Sequence, residues 1–342
     1  MVTSKCVPND ITYGTIVNGL VKQRKAADAA RVLLFMEERG LHPNEFVYSA
    51  LISGLFKEGN AKDALKLWEE MLEKGCKPNT VVYSALVDGL CREGQPCEAK
   101  QILSEMANKG CMPNAYTYSS LMKGFFKTGN FDKAILVWKE MESNGCTPNE
   151  VCYSVLIQGL CNYRRLKEGM MVWKHMLGRG WKPDVITYSS IIHGLCSAGL
   201  VDAGLRLLNE MLCQDVKSQP DVVTYNILLE GLCKLNNISQ AMDLLNSMLD
   251  RGCDPDLITC NIFLMILREN QNPPQDGRDF LDGLVLQLVK RRRIFAASKI
   301  VEVMLQKYFS PKASTWGRVV KDLCRHRKVQ AGIELCRSKL FG

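Results

Sequence analysis

The chain has 342 residues, of which 46% are apolar and 23% are charged, and its formal net charge is +8. These fractions are ordinary for a folded globular protein, and no uninterrupted apolar stretch approaches the roughly 18 residues of a membrane-spanning helix, so a membrane protein is excluded. Residues 278–342 carry 15 Lys and Arg against 5 Asp and Glu, whereas residues 1–277 carry 29 against 31. A uniformly basic surface is therefore excluded over most of the chain.

The first residues fall within an internal repeat of 35 residues. Met1 stands where each later unit has a methionine, and Pro8 and Asn9 follow in register. Residues 1–9 are therefore predicted to be the second-helix remnant of a truncated repeat.

Seven complete units follow, and a period of about 20–50 residues is typical of a solenoid, in which the repeats share one continuous surface. Each unit begins near a tyrosine and ends on Pro-Asn or Pro-Asp. The predicted repeats are residues 10–44, 45–79, 80–114, 115–149, 150–184, 185–221 and 222–256. Their tyrosines are Tyr13, Tyr48, Tyr83, Tyr118, Tyr153, Tyr188 and Tyr225.

Within each unit, two apolar stripes at helical spacing flank a turn. In residues 80–114 the first stripe includes Val81 and Leu90, Gly94 marks the turn, and the second stripe runs on to Met106. Each unit is therefore predicted to be an antiparallel pair of helices, which buries both apolar faces only by stacking on its neighbours.

Two further slots are filled by one residue type throughout. A glycine in a helix interior costs about 1 kcal/mol relative to alanine, so a glycine in the middle of every first helix predicts close helix–helix approach. The methionines of the second helices are predicted to fill the core rather than to bind a cofactor. These residues are Gly19, Gly54, Gly89, Gly124, Gly159, Gly194 and Gly231, and Met36, Met71, Met106, Met141, Met176, Met211 and Met248.

The 15 cysteines do not form a metal or disulfide framework. Several share a slot with valine or phenylalanine, which predicts small buried hydrophobic residues: Cys91, Cys161, Cys196 and Cys233. There is no Cys-x-x-Cys pair, and the 4 histidines have no ligand spacing, so no metal is predicted. Many free thiols indicate a reducing compartment. No nucleophile–base pair or phosphate loop is recognisable, so we predict no catalytic residue, no enzyme activity and no cofactor.

The repeat weakens toward the C-terminus. Residues 257–277 are predicted to be a partial repeat and a linker, with Cys260 in place of the tyrosine. Residues 278–342 are predicted to be degenerate repeats that form a helical cap, because divergent terminal repeats are typical of capping units.

The motifs V-T-Y-N at 223–226 and G-L-C-K at 231–234, with E-M at the ends of second helices and G-x-x-P-[ND] between units, resemble the pentatricopeptide repeat. The uniform length of the units is similar to the P class of plant organelle proteins. The resemblance covers residues 1–256 closely and residues 257–342 loosely, and the C-terminal stretch resembles the end of a plant member needed for embryo development. The tetratricopeptide repeat has a different period and pattern. The resemblance implies an all-α fold, a right-handed α-solenoid of helix-turn-helix repeats.

The resemblance also implies sequence-specific binding of single-stranded RNA, one base per repeat. In the family, the residue after the tyrosine and the residue after the proline face the base. The implied pairs are Gly14 with Asn44, Ser49 with Asn79, Ser84 with Asn114, Ser119 with Asn149, Ser154 with Asp184, Ser189 with Asp221, and Asn226 with Asp256. Ser with Asn implies adenine, Ser with Asp guanine and Asn with Asp uracil, so the implied core is 5′-AAAGGU-3′, with no base assigned to Gly14.

An apolar residue two before each tyrosine is implied to wedge between bases: Ile11, Phe46, Val81, Tyr116, Val151, Ile186 and Val223. Cations at the ends of first helices are candidate phosphate contacts: Lys22, Lys57, Arg92, Lys127 and Lys234. The run from Lys290 to Arg293 is equally consistent with a nonspecific RNA contact and with a solvated turn. The family implies a role in organelle RNA processing, splicing, stability or translation, in mitochondria or alternatively in plastids. Other RNA-processing proteins are further candidate partners, and a monomer is expected.

Each of these interpretations has an alternative. Asn and Asp after a proline are also the preferred N-caps of helices, and a cation at a helix C-terminus is favoured by the helix dipole alone. The near-neutral charge of the repeats mildly favours a scaffold that binds a peptide or a partner helix. The restricted choice of polar pairs favours RNA over that scaffold.

Overall fold

The computed structural model describes residues 8–213 and 219–256 without a break, short runs between 258 and 304, and residues 312–325. Every regular element in these ranges is a helix, and none of them combines the length and apolarity that crossing a membrane requires. The chain divides into two compact units, Met1–Lys182 and Pro183–Gly342.

Tandem pairs of 13-residue helices account for nearly all of the helices described in the two units. In the first unit they are α1 Asp10–Lys22, α2 Ala26–Glu38, α3 Glu45–Lys57, α4 Ala61–Glu73, α5 Thr80–Arg92, α6 Pro96–Asn108, α7 Ala115–Lys127, α8 Phe131–Ser143, α9 Glu150–Asn162 and α10 Leu166–Gly178. In the second they are α11 Val185–Ser197, α12 Val201–Cys213, α13 Val222–Lys234, α14 Ile238–Asp250 and the more distant α15 Ala313–Arg325. The predicted all-α solenoid of helix-turn-helix repeats is confirmed, and its right-handed sense stays a prediction.

Three predictions concern residues of which little or nothing is described. Residues 1–7 of the predicted second-helix remnant lie outside the described residues. So do most of residues 257–277, predicted as partial repeat and linker, and residues 291–293 of the basic run. Within the predicted cap, α15 is helical and buries Thr315 and Val319.

The first helices form the interior of each unit, with α1 on α3, α3 on α5, α5 on α7 and α7 on α9, and with α11 on α13. Each of them also packs on the second helix of its own repeat. The methionine slot is fully buried in every repeat, which confirms the predicted core role. The seven tyrosines are also buried, and several reach the second helix through the hydroxyl: Tyr188 Oη, for example, donates to Glu210 Oε1 at 2.9 Å.

The glycine slot brings neighbouring first helices close together. A Cβ atom added to Gly54 would lie 2.8 Å from Val21 Cγ1, and one added to Gly124 would lie 2.6 Å from Cys91 Sγ. Cβ atoms added to Gly89 and Gly159 would overlap Phe56 and Phe126, and one added to Gly231 would lie 3.1 Å from Cys196 Sγ. The predicted close approach is confirmed at these five glycines, each of which receives the Val, Phe or Cys side chain of the preceding first helix, whereas no described atom lies within 4 Å of a Cβ added to Gly19.

The cysteines of that slot differ in burial. Cys91 and Cys161 are buried as predicted, and burial raises the pKa of both thiols to about 12, which leaves them protonated and unreactive. Cys196 and Cys233 are only half-buried, so the prediction of full burial is wrong for these two. Among the described residues, no group of three or more His, Cys, Asp or Glu side chains could hold a metal ion.

Two short turns separate the helices, and glycines with positive φ occupy most of them. Between the helices of a repeat, the slot holds Gly59 at φ 80° and Gly94 at φ 80°, but it holds Arg24 at φ 57° and Arg164 at φ 59° in two other repeats. A side chain with a Cβ is strained in this left-handed region by about 1–2 kcal/mol. Arg164 therefore stores strain that the repeat consensus avoids.

Replacing that arginine is expected to stabilise the protein. Arg164→Gly relieves the strain but adds flexibility to the unfolded chain, so the free energy of unfolding should rise by about 0.5–1 kcal/mol in urea melts. Gly129→Ala is the matched control, since Gly129 occupies the same slot at φ 77°, and it should lower the free energy of unfolding. An unchanged or reduced stability of Arg164→Gly would show that the arginine side chain makes a compensating contact.

Candidate nucleic-acid interface

The residues after the prolines are the N-caps of the first helices. Asn114 Oδ1 accepts a hydrogen bond from Thr117 N at 3.0 Å, and Asp221 Oδ1 accepts one from Thr224 N at 2.9 Å. Asn44, Asn79, Asn149 and Asp184 make the same bond in their repeats. These residues therefore cap the first helices in all six of these repeats. Capping is the alternative to base reading that the sequence also suggested.

Capping uses only one of the two polar atoms of these side chains. The second is Nδ2, a donor, in asparagine and Oδ2, an acceptor, in aspartate. Among the described residues it has no hydrogen-bond partner in five caps: Asn44, Asn79, Asn114, Asn149 and Asp221. Capping therefore fixes the side chain and leaves one atom, of opposite hydrogen-bonding sense in Asn and Asp, free for a ligand.

The residues after the tyrosines lie deeper than the sequence indicates. Ser49, Ser84, Ser119 and Ser154 are at most 8% exposed. The hydroxyl of Ser84 donates to Thr80 O at 2.7 Å, and Ser119 and Ser189 donate to backbone carbonyls of their own helices in the same way. Because the proton is already donated, such a serine offers a ligand an accepting oxygen at the floor of a groove. At Gly14 an added Cβ would contact Phe46 and Val47.

The wedge residues are apolar and yet exposed in every repeat. The exposed fraction runs from 51% at Val151 to 75% at Ile11, with Phe46, Val81, Tyr116, Ile186 and Val223 between. An eighth member, Ile258, is 58% exposed and lies two residues before Cys260, so the loss of the tyrosine hid it in the sequence. Exposed apolar side chains at the same slot of every repeat indicate a binding face.

One groove shows how these residues come together. It has a volume of about 290 Å³, and its walls include Val81 and Tyr116 while Ser84 and Asn114 also line it. Both predicted base-specifying residues of one repeat thus meet between two predicted wedge residues. An aromatic ring and an aliphatic side chain that line the same groove are suited to contact with a flat, unsaturated ligand.

Asp88 also lines this groove, which the sequence did not indicate. It accepts hydrogen bonds from Ser120 Oγ at 3.0 Å and from Arg92 Nε at 2.9 Å. Burial, and to a lesser extent this carboxylate, raises the pKa of Tyr116. The slot carries a different residue type in each repeat, so no pattern marks it.

The five predicted phosphate contacts are all exposed but differ in their partners. Arg92 is paired with Asp88, Lys234 is paired with Glu230 at 2.7 Å, and Lys127 donates to the carbonyl of Arg92. Lys22 and Lys57 have no partner among the described residues. Two of the five cations are therefore free to meet an anion without breaking an existing bond.

The predicted pair of Ser154 and Asp184 is divided between the two compact units: Ser154 belongs to the first and Asp184 to the second.

In the last repeat, the two predicted reading residues contact each other. Asn226 Nδ2 donates directly to Asp256 Oδ1 at 3.0 Å. Burial alone would raise the pKa of Asp256, but hydrogen bonds from the backbone of Thr259 and from Asn226 outweigh it and lower that pKa. This carboxylate is therefore ionised at neutral pH.

Comparisons with known proteins agree with the repeat. The model of the PPR repeat family matches residues 8–57, 45–92, 78–127, 120–162, 151–197 and 220–267, and a PPR repeat model matches residues 186–216. A pentatricopeptide repeat-containing protein of Arabidopsis thaliana is 64% identical over 128 residues, which are 37% of this chain and 19% of that protein.

The chain also aligns with solved structures of low sequence identity. The chain aligns with the pentatricopeptide repeat protein PPR10 of maize, solved with an 18-nt psaJ RNA element, at a TM-score of 0.47 and 20% identity, over 99% of this chain and 57% of that one. Yeast Rmd9p, solved with a 16-nt target RNA, aligns at a TM-score of 0.38 and 14% identity, over 98% and 67% of the two chains. The chain thus spans only part of the relatives that it matches. The family matches extend over more than half of its length, and it belongs to the pentatricopeptide repeat family.

Proposed function

We propose that the chain binds single-stranded RNA sequence-specifically and reads one base per repeat, with 5′-AAAGGU-3′ as its core. The observation that carries this proposal is the groove in which Ser84 and Asn114 meet between Val81 and Tyr116. Exposed apolar walls at every repeat suit bases that stack on them, and stacking needs no particular sequence. Specificity then falls to the polar atoms between the walls.

The free atom of the five caps Asn44, Asn79, Asn114, Asn149 and Asp221 provides a physical basis for that specificity. Adenine presents an accepting N1 on its Watson–Crick edge, which the Nδ2 of an asparagine can satisfy. Guanine presents N1–H and an amino group as donors, which the Oδ2 of an aspartate can accept. A wrong pairing sets donor against donor or acceptor against acceptor and leaves a buried polar atom unsatisfied. Ser with Asn for adenine, and Ser with Asp for guanine, follow from this difference.

The wider role that we propose is adaptor function without catalysis. The chain would direct processing, splicing, stability or translation of an organelle transcript, in mitochondria rather than plastids, with a link to embryo development. It would act as a monomer, with other RNA-processing proteins as partners. Support for the RNA partner comes from the family and from PPR10, a pentatricopeptide repeat protein that was solved with an RNA element. Immunoprecipitation of the full-length protein, with sequencing of bound RNA, tests this role.

A scaffold for a peptide or partner helix is the second candidate. It is favoured by the acidic Asp88 in the groove and by the ion pairs that neutralise Arg92 and Lys234. A filter-binding assay with homopolymers and with 5′-AAAGGU-3′ at low salt decides between the two. Failure to bind any single-stranded RNA would favour the scaffold.

The salt dependence of binding tests the phosphate contacts. Because Lys57 has no partner, Lys57→Ala should weaken all RNAs equally and flatten the slope of log affinity against log salt by about 0.7. Arg92→Ala should change the slope less, since Asp88 already offsets its charge. Lys62→Ala, which removes an exposed cation from α4, serves as the control and should leave the slope unchanged. A loss confined to one RNA sequence at Lys57→Ala would contradict the phosphate role.

A further inference from the structure

We infer, given base reading as proposed above, that a threonine directly before the tyrosine is a positioning residue that sharpens base discrimination at the site shared with the preceding repeat. The residues in this slot are Thr12, Val47, Val82, Thr117, Cys152, Thr187, Thr224 and Thr259. None of them is among the base-specifying, wedge or phosphate positions. The residue in this slot has a side-chain hydroxyl in some repeats and lacks one in others. The base sites can therefore be compared with and without this hydroxyl.

At the groove already described, Thr117 joins the two reading residues. Its Oγ1 lies 2.8 Å from Ser84 Oγ and 3.0 Å from Asn114 Oδ1, and its side chain is fully buried. Since Ser84 donates its own proton to Thr80 O, the proton of Thr117 serves either Ser84 or Asn114. With the Ser84 proton on Thr80 O, Thr117 is hydrogen-bonded to one of the two reading residues at a time and in contact with the other. When Ser84 donates to Thr117 Oγ1 instead, Thr117 donates to Asn114 and the three side chains form one hydrogen-bonded chain.

The same link recurs in the second compact unit. Thr224 Oγ1 lies 2.9 Å from Ser189 Oγ and 2.8 Å from Asp221 Oδ1. Thr259 Oγ1 donates to Asn226 Oδ1 at 2.6 Å and lies 3.0 Å from Asp256 Oδ1. We call a base site linked where such a threonine bridges its two reading residues. The linked sites are Ser84 with Asn114, Ser189 with Asp221, and Asn226 with Asp256.

Other sites lack the bridge. Val82 has no hydroxyl to join Ser49 to Asn79. Among the described residues, Asn79 is hydrogen-bonded through its side chain only to backbone N–H groups of its own helix. At Cys152 the thiol donates to Ala115 O instead. We call Ser49 with Asn79, and Ser119 with Asn149, unlinked sites.

The link matters because discrimination depends on how rigidly the reading atoms are held. A side chain that can rotate finds a second hydrogen-bonding geometry and so tolerates a wrong base. One whose rotamer is fixed by a neighbour cannot, and it also loses less conformational entropy when the right base binds. The two classes can be compared directly, since Ser49 with Asn79 and Ser84 with Asn114 contain the same reading residues and face the same proposed base, adenine.

The experiment measures the ratio of dissociation constants for 5′-AAAGGU-3′ and for RNAs with a single adenine-to-guanine change. In the wild type, the change at the second adenine should cost more than the changes at the first and third. Thr117→Val should reduce the penalty at the second adenine by about 3- to 10-fold, the worth of a neutral hydrogen bond or two, and leave the other two penalties unchanged. Thr117→Ser retains the hydroxyl and should retain the penalty.

The reverse change supplies a gain rather than a loss. Val82→Thr should raise the penalty at the first adenine by a similar factor, and urea melts check that each variant is folded. If the wild type shows no base preference anywhere, the proposed function fails. If the wild type discriminates, but Thr117→Val keeps its full penalty or folded Val82→Thr gains none, only the positioning role of the threonine is overturned.

Discussion

Asn114→Asp is expected to switch the preferred RNA from 5′-AAAGGU-3′ to 5′-AGAGGU-3′. The aspartate retains Oδ1 as the cap of α7, so its second atom changes from donor to acceptor while the fold stays intact. The relative affinity for the two RNAs should shift by about 1–3 kcal/mol, the cost of one mismatched base in other sequence-reading complexes. Competition binding with both RNAs measures the shift, and thermal melts check the fold.

The added negative charge weakens binding to every RNA, so the ratio of the two affinities is the informative quantity. Asn60→Asp makes the same charge change at the start of α4, where no side-chain cap bond exists, and should leave the ratio unchanged. In the last repeat, Asn226→Ser should move the final preference from uracil to guanine. If the variants fold and their base preferences are unchanged, these residues act only as helix caps, and the scaffold function is favoured.

Gly124→Ala is expected to destabilise the first compact unit by about 1–3 kcal/mol, the cost of overpacking a close contact. The new Cβ would lie 2.6 Å from Cys91 Sγ, 2.8 Å from Cys91 Cβ and 3.3 Å from its Cα. Rotation of the cysteine side chain cannot relieve the last two contacts, so α5 and α7 must separate. The gain in helix propensity of about 1 kcal/mol offsets only part of the cost. Urea denaturation measures the difference.

Gly19→Ala is the matched control. It occupies the same slot, but no described atom lies within 4 Å of the added Cβ. Only the propensity gain then operates, and stability should rise by up to about 1 kcal/mol. In a Cys91→Ala background the cost of Gly124→Ala should shrink without vanishing, because Sγ is removed and Cβ remains. Equal effects of the two glycine changes would contradict the role of close helix approach.

The sequence predicts most of the fold because the repeat presents each core contact several times. The register of Gly124 against Cys91, and the burial of the methionine slot, are both consequences of positions that recur in every unit. Interactions confined to one or two repeats leave no such signal. The pairing of Arg92 with Asp88 is one example. The exposed Ile258 was missed for a related reason, since Cys260 two residues later replaces the tyrosine that marks the slot elsewhere.

The candidate site was predictable in its residues but less so in its geometry. The positions of Ser84 and Asn114 follow from the motif, whereas the depth of Ser84 depends on how closely α5 and α7 pack. The bridging hydroxyl of Thr117 is also invisible in the motif, since a residue before a buried tyrosine is equally well read as core. Side-chain hydrogen bonds between repeats need the three-dimensional arrangement.

The double use of the cap side chain also bears on how such a protein changes over evolutionary time. Asparagine and aspartate codons differ by one nucleotide, and both residues cap a helix well. A single point mutation at Asn79 or Asn149 would therefore alter what one repeat recognises without passing through an unfolded intermediate. Duplicated copies of such a chain could acquire new target transcripts one base at a time. Each step would be open to selection, while the helical repeat fold stays the same.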